Sequence, residues 1–317
     1  MTTERARQNR TLICTDEEVN RYVLQSSPLS APTTLENLQN RVFCQDSLEA
    51  VSFFPKKFVD LLILDPPYNL TKEYHGFSFR AQKTGEYQAW FLEMLRRMLP
   101  CLKETATIYV CSDWRTSTLI FPLLEDFFYV RNRITWEREK GRGARRNWKN
   151  NAEDIWFCTV GKEYFFDVEK VKLNRRVVAP YRKSDGTPKD WHDSTAGKFR
   201  LTHPSNLWTD ITVPFWSMSE NTDHPTQKPE KLIAKLILAS SREGDWVFDP
   251  FAGSGTTAVV AKKLRRHFCA VERNRQYVAW MLKRLELAEE DNSIQGYSEG
   301  VFYERNVRLS PRFQEKT

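Results

Sequence analysis

Leu61-Leu62-Ile63-Leu64 is an unbroken apolar run that stops at Asp65-Pro66-Pro67. A strand that is apolar at every position must be covered on both faces, and such strands belong to parallel sheets sandwiched between helices. Other parts of the chain repeat the pattern. Short runs at Arg41–Cys44, Val59–Leu64, Ala106–Cys111, Trp246–Phe248 and Phe268–Val271 alternate with segments of helical periodicity. Phe91, Met94, Leu95, Met98, Leu99 and Leu102 recur at three- and four-residue steps, and Leu232, Ile233, Leu236 and Ile237 form a similar stripe after Pro229. The expected fold class is α/β, a mostly parallel sheet with helices on both faces. With 317 residues, 40% of them apolar, the chain can build a core of that size. No apolar run approaches the roughly 18 residues that cross a bilayer, and the opening MTTERARQNR lacks the apolar stretch of a signal peptide. A cytoplasmic protein without a membrane partner is expected. The six cysteines lie far apart, with no C-x-x-C pair and no H-x-x-x-H spacing, so neither a disulfide framework nor a metal site is expected.

The alternation stops near residue 137 and resumes at Pro229. The predicted organisation is an arm at 1–35, helical over Glu17–Leu24, followed by sheet-forming halves at 36–136 and 222–290. An irregular insertion at 137–221 and a tail at 291–317 complete it. Within the insertion, Ile155–Phe166 reads as a hairpin turning at Gly161-Lys162. Charge singles out the same region. The chain nets +7, yet residues 131–150 carry eight basic and two acidic residues, and residues 170–200 carry nine and three. The remainder is acidic on balance, the asymmetry that a phosphate-binding face produces. Glycines in Gly141-Arg142-Gly143-Ala144-Arg145-Arg146 suit a loop that follows a nucleic-acid backbone. Arg145, Arg146, Trp148, Lys149 and Asn150 are the candidate contacts to double-stranded DNA, with a merely solvated face as the alternative. Trp191, Trp208 and Trp216 read as packing for an irregular region.

Two turns carry the chemistry. Asp65-Pro66-Pro67-Tyr68 follows a buried strand, and parallel sheets bind ligands at the carboxyl ends of their strands. A carboxylate, a proline-fixed carbonyl and an aromatic ring can grip a planar group bearing an amine; an ordinary strand-ending turn is the alternative. The second turn is Asp249-Pro250-Phe251-Ala252-Gly253-Ser254-Gly255-Thr256-Thr257, between a strand and a helix. It lets a ligand approach the backbone and offers it a helix N-terminus, and it does not match a P-loop. About 20 residues on, Glu272 ends the next strand, where an acid suits ribose hydroxyls.

D-P-P-Y (Asp65–Tyr68) followed by H-P-T-Q-K-P (His224–Pro229) and F-A-G-S-G-T-T (Phe251–Thr257) resembles the S-adenosylmethionine-dependent DNA amino-methyltransferases. The permuted order is similar to that of their beta group, which includes the MboII- and RsrI-type adenine enzymes. The resemblance covers roughly 40–160 and 222–290 and implies a Rossmann-like methyltransferase fold. It implies that Phe251, Gly253, Ser254 and Gly255, flanked by Asp249 and Thr256, surround the methionine part of the cofactor. Glu272 would bind its ribose, Asp46 would face its adenine, and Thr226 and Lys228 would belong to a segment closing over it. Asp46 also reads as an N-cap for Ser47–Val51, and both roles stay open. Asp65, Pro66, Pro67 and Tyr68 are the implied catalytic residues: Asp65 and the Pro66 carbonyl accept the amine's hydrogen bonds, and Tyr68 stacks on a flipped base.

Aspartate at the head of the tetrapeptide favours N6 of adenine; N4 of cytosine and a homologue that binds DNA without catalysis are the alternatives. Methylation of RNA or protein amines fits less well, since those families carry asparagine there. A partner restriction endonuclease and a homodimer are further expectations.

Overall fold

The computed structural model describes residues 6–74, 77–138, 145–178, 181–194 and 197–305. Its main body is an eight-stranded sheet built from β1 (Arg41–Cys44), β2 (Val59–Leu64), β3 (Leu102–Ser112), β4 (Tyr129–Glu137), β5 (Ala152–Thr159), β6 (Leu207–Trp208), β7 (Trp246–Asp249) and β8 (His267–Glu272). The strand order is β1-β8-β7-β2-β3-β5-β4-β6. Pairing is parallel from β1 through to β3, β5 is antiparallel to both its neighbours, and β6 lies parallel to β4.

The apolar run of β2 is covered on both sides, as its composition demands. Leu61 and Ile63 enter one core with α4 (Glu230–Ser240), α5 (Thr256–Lys263) and α6 (Arg275–Glu290). Leu62 and Leu64 enter the other, with α2 (Thr84–Met98) and α3 (Trp114–Phe127). Alternate residues of a strand point to opposite faces, so one strand seeds both layers. The path after each strand places the site. β2 leads to α2 on one face, whereas its neighbour β7 leads to α5 on the other. Connections that part to opposite faces leave a crevice between the carboxyl ends of the two strands. Both strands end in Asp-Pro: Asp65-Pro66 and Asp249-Pro250.

The hairpin lies elsewhere than the sequence suggests. β4 and β5 are its arms, and the basic stretch between them is its connection. Residues 161–166 form no strand, because Tyr164 and Phe166 fold back onto Phe157, with ring centroids 5.8 and 5.5 Å away. The large sheet therefore extends past residue 137 and takes in β5 and β6. A second sheet joins Leu173–Arg176, His192–Ser194 and Gly197–Thr202 to Tyr297–Ser298 and Val301–Tyr303, so the insertion and the start of the tail fold together. Two lysines of α4, Lys235 and Lys231, pair with Asp210, just past β6, at 2.8 and 2.9 Å, and Lys231 also donates to the Tyr303 carbonyl of the second sheet.

The arm before β1 contains α1 (Asp16–Gln25), started by a capping box between Thr15 and Glu18 and docked on α6 by a Tyr22–Glu286 hydrogen bond of 2.5 Å. Ahead of it, Leu12 bridges to Thr222. Beyond it, the Ser26 carbonyl accepts from Cys44.

Candidate active site

The crevice is a cavity of about 250 Å³. Asp65 stands at its head, where β2 gives way to the two prolines. Its Oδ1 accepts from the Tyr68 hydroxyl at 2.9 Å, and its Oδ2 lies 2.7 Å from Lys228 Nζ. Glu153, on β5, approaches the same ammonium at 3.2 Å and the Tyr68 hydroxyl at 3.3 Å, and its other oxygen pairs with Arg138 at 2.6 Å. Burial alone would push the Lys228 ammonium down, but the adjacent Asp65 and Glu153 outweigh that and hold it above the ordinary lysine value. Burial, reinforced by the same two carboxylates, pushes the Tyr68 hydroxyl well up, so it stays a proton donor.

The turn backbone is held by neighbours. The Pro67 carbonyl accepts from the hydroxyl of the buried Tyr87 on α2 at 3.0 Å. The Pro66 carbonyl takes no donor among the described residues, so it is the acceptor left for a ligand.

The other lobe of the cavity is lined by carboxylates and rings. Glu272 is fixed by backbone donors from Gly253 at 3.0 Å and Asn274 at 2.8 Å, and burial raises its pKa. Those bonds leave lone pairs on both oxygens for hydroxyl donors. Asp249 is buried too, pushed up to about 7 despite bonds from the Thr257 hydroxyl and the Phe251 N–H. Asp46 caps the short helix Ser47–Ala50 by accepting from Leu48 N at 2.9 Å while lining the cavity, so both roles open in the sequence are compatible. Phe251, Ser254, Thr226 and Trp90 complete this lobe. A set rich in carboxylates and aromatic faces suits a cationic, nucleoside-bearing ligand, and the residues present fit S-adenosylmethionine.

Two sequence assignments are qualified by the structure. Lys228 lines the cavity, but its ammonium is turned to Asp65 and Glu153; its backbone carbonyl is held by the Thr256 hydroxyl at 2.9 Å. Gly255 lies behind the cavity wall. It caps α5 at φ 82°, and a Cβ there would fall 2.1 Å from Met281 Cγ, so helix packing rather than ligand room requires the glycine. Gly253, at φ 52°, does face the cavity, where a Cβ would meet His224 Nε2 at 2.9 Å. Glu153 and Arg138 were missed. The available signal was an acid inside the strand-forming run Ala152–Thr159.

Arg145, Arg146, Trp148, Lys149 and Asn150 are all exposed, Trp148 at 93%. They sit on the β4–β5 connection, apart from the cavity lining. Residues 139–144 of the basic run lie outside the described residues.

A family model described as DNA methylase, for N6 and N4 methyltransferases, matches residues 59–283. The DNA adenine methyltransferase YhdJ of Escherichia coli (strain K12) is 32% identical over 264 residues, covering 81% of this chain and 86% of YhdJ. The type II methyltransferase M.HpaI of Haemophilus parainfluenzae is 32% identical over 252 residues, covering 78% and 75%. Among solved structures, PvuII DNA methyltransferase (cytosine-N4-specific) has a TM-score of 0.58 at 18% identity, covering 79% of this chain and 90% of that one, a likeness of fold. Matched along most of its length, with D-P-P-Y and the glycine turn meeting at one crevice, the chain belongs to the N6/N4 DNA methylase family.

Proposed function

We propose that this enzyme methylates N6 of an adenine flipped out of double-stranded DNA. The observation that carries the reading is the pairing of Asp65 and the open Pro66 carbonyl with a carboxylate-lined lobe in one crevice. S-adenosylmethionine, the methyl donor of this family, supplies an activated electrophile when bound, so the protein need not make a strong nucleophile. Glu272, Asp249, Asp46, Phe251, Gly253, Ser254 and Thr226 would hold it. The protein's own task is to place the amine and stabilise the positive charge that grows on nitrogen. The Pro66 carbonyl and Asp65 accept the amine's two N–H groups, which orients the nitrogen lone pair and sets a carboxylate beside the developing charge. Tyr68, anchored through its hydroxyl, offers a fixed ring to the base. A base inside a duplex cannot reach Asp65, so flipping is required.

Adenine is favoured over cytosine by the aspartate at the head of D-P-P-Y and by the likeness to YhdJ. The exposed basic connection 145–150 is the proposed DNA-reading surface, and the insertion 137–221 the region that selects the site. The same reading places the enzyme in the cytoplasm; no helix among the described residues is long and apolar enough to cross a membrane. Methylation-aware sequencing of a host expressing the chain tests the reading, reporting modified base and site together. N6-methyladenine at one short sequence is expected; N4-methylcytosine would transfer the mechanism to the other base, and unmodified DNA would overturn it. A cognate endonuclease cutting that sequence and a homodimer belong to the same proposal, checked by digestion of unmethylated host DNA and by sedimentation with a duplex.

A further inference from the structure

Asp65 faces a conflict. Each of its oxygens keeps a lone pair for the incoming amine, but one already receives the Tyr68 hydroxyl and the other the Lys228 ammonium, at 2.9 and 2.7 Å, so the amine arrives beside a cation. The ammonium does more than fill an oxygen. A fixed cation on Asp65 neutralises the charge that should stabilise the growing positive charge on the amine nitrogen, and it repels that nitrogen directly. Lys228 is buried, so it cannot move into water without losing its partners. A second acceptor stands ready. Glu153 Oε2 lies 3.2 Å from the same Nζ, and Arg138 holds Glu153 in place from its other side at 2.6 Å.

We propose that Glu153 is the second seat of the Lys228 ammonium. Lys228 sits on Asp65 in the free enzyme and passes to Glu153 as the target amine arrives, which takes the cation away from the oxygen that meets the amine. A lysine suits the exchange because its ammonium is a compact point charge with three donors on a flexible stem. The move keeps the ammonium paired throughout, and it leaves the Asp65 carboxylate held by the Tyr68 hydroxyl and the arriving amine N–H. Glu153 is a positioning residue: it acts on Asp65 through Lys228 and does not touch the substrate.

The inference rests on the reading of Asp65 as the amine acceptor, and the test separates the two. Single-turnover methyl transfer at saturating S-adenosylmethionine is measured for wild type, Glu153→Gln, Glu153→Gln/Lys228→Met and Asp65→Ala, with cofactor affinity by calorimetry as the check on folding. Glu153→Gln strands Lys228 on Asp65, so transfer should slow roughly tenfold or more while cofactor affinity holds. Removing the lysine as well should restore much of the rate, because Asp65 is then uncovered. A purely structural Glu153 would make the double variant no faster than the single, and that result overturns the proposal, as does a Glu153→Gln enzyme of wild-type rate. If Glu153→Gln does not fold, Glu153→Asp replaces it: the shorter side chain withdraws the seat, and an unslowed enzyme again overturns the idea. Full activity of Asp65→Ala would instead remove the acceptor reading beneath it.

Discussion

Two carboxylates of the crevice, Asp65 and Asp249, meet opposite demands, and their neighbours decide how each behaves. Asp65 is paired with a cation and a hydroxyl, and its loss removes an acceptor that is already in place before the amine arrives. Asp65→Ala should cost about 3–4 kcal/mol of transition-state stabilisation, roughly 100- to 1000-fold in rate, by the usual value of one such group. Tritiated-methyl transfer by the purified, folded variant measures it. Asp249 has no cation and is buried, which lifts it from 3.8 to about 7. Between about pH 4 and pH 7 the unfolded chain releases this proton while the folded chain retains it. Stability without ligand therefore falls through that window and levels off above it. Asp249→Asn lacks this dependence and can still accept from the Phe251 N–H. Its melting temperature should gain on wild type from pH 4 to 7 and keep a constant lead at higher pH. Melting curves across a pH series check the sign; a lead that shrinks with pH would contradict it.

Between β7 and α5, two glycines separated by one serine do different work. Both have positive φ, a region that disfavours any side chain. Gly255 abuts Met281 of α6, deep in the core, whereas Gly253 abuts the His224 ring at the cavity edge. Gly255→Ala must push one helix away from another and should lower the melting temperature sharply, whether or not cofactor is added. Gly253→Ala meets a side chain that can turn aside, at the expense of the T-shaped contact between His224 and Tyr277. It should lose mainly cofactor affinity. Calorimetry and thermal melting on the two variants separate these outcomes, and equal losses of both quantities would contradict the assignment. The H-P-T-Q-K-P segment shows the same division of labour within six residues: Pro229 caps α4, His224 packs on the turn, and Lys228 reaches Asp65.

Across the whole molecule, charge and chemistry are kept apart. The crevice gathers acids at the carboxyl ends of β1, β2, β7 and β8, while basic residues collect on the β4–β5 connection and the second sheet. If Arg145, Arg146 and Lys149 neutralise phosphates, each contact contributes about 0.9 to the slope of log K against log salt. Replacing all three by alanine should flatten that slope by about 2–3 units and leave cofactor binding unchanged, since none lines the cavity. DNA affinity over a salt series is the measurement. An unchanged slope would move the search to the second sheet, where Lys198 and Arg182 stack on Trp191 at 4.8 and 5.1 Å. The arm before β1 bridges to Thr222, two residues ahead of the cavity residue His224, and to Cys44, two ahead of Asp46.

The parallel sheet, its two covered faces, the turn at Asp65 and the glycine turn were legible in the sequence, because each is written in adjacent residues. Apolar runs must be buried on both sides, prolines fix their own backbone, and a strand–glycine–helix junction has few ways to fold. Asp46 was equally readable as a cap, since capping is a contact across two residues. Tertiary structure decided what depends on residues distant in the chain. The partner of β5 was invisible because β4 lies across a basic connection whose length the local pattern does not reveal. The resemblance implied a cofactor role for Gly255 because the motif is local, while Met281, which requires the glycine, is distant in the chain. Lys228 meets Asp65 from 163 positions away and Glu153 meets Tyr68 from 85, residues drawn from separate parts of the chain. Buried charges find partners through packing, and packing is settled only when the sheet closes.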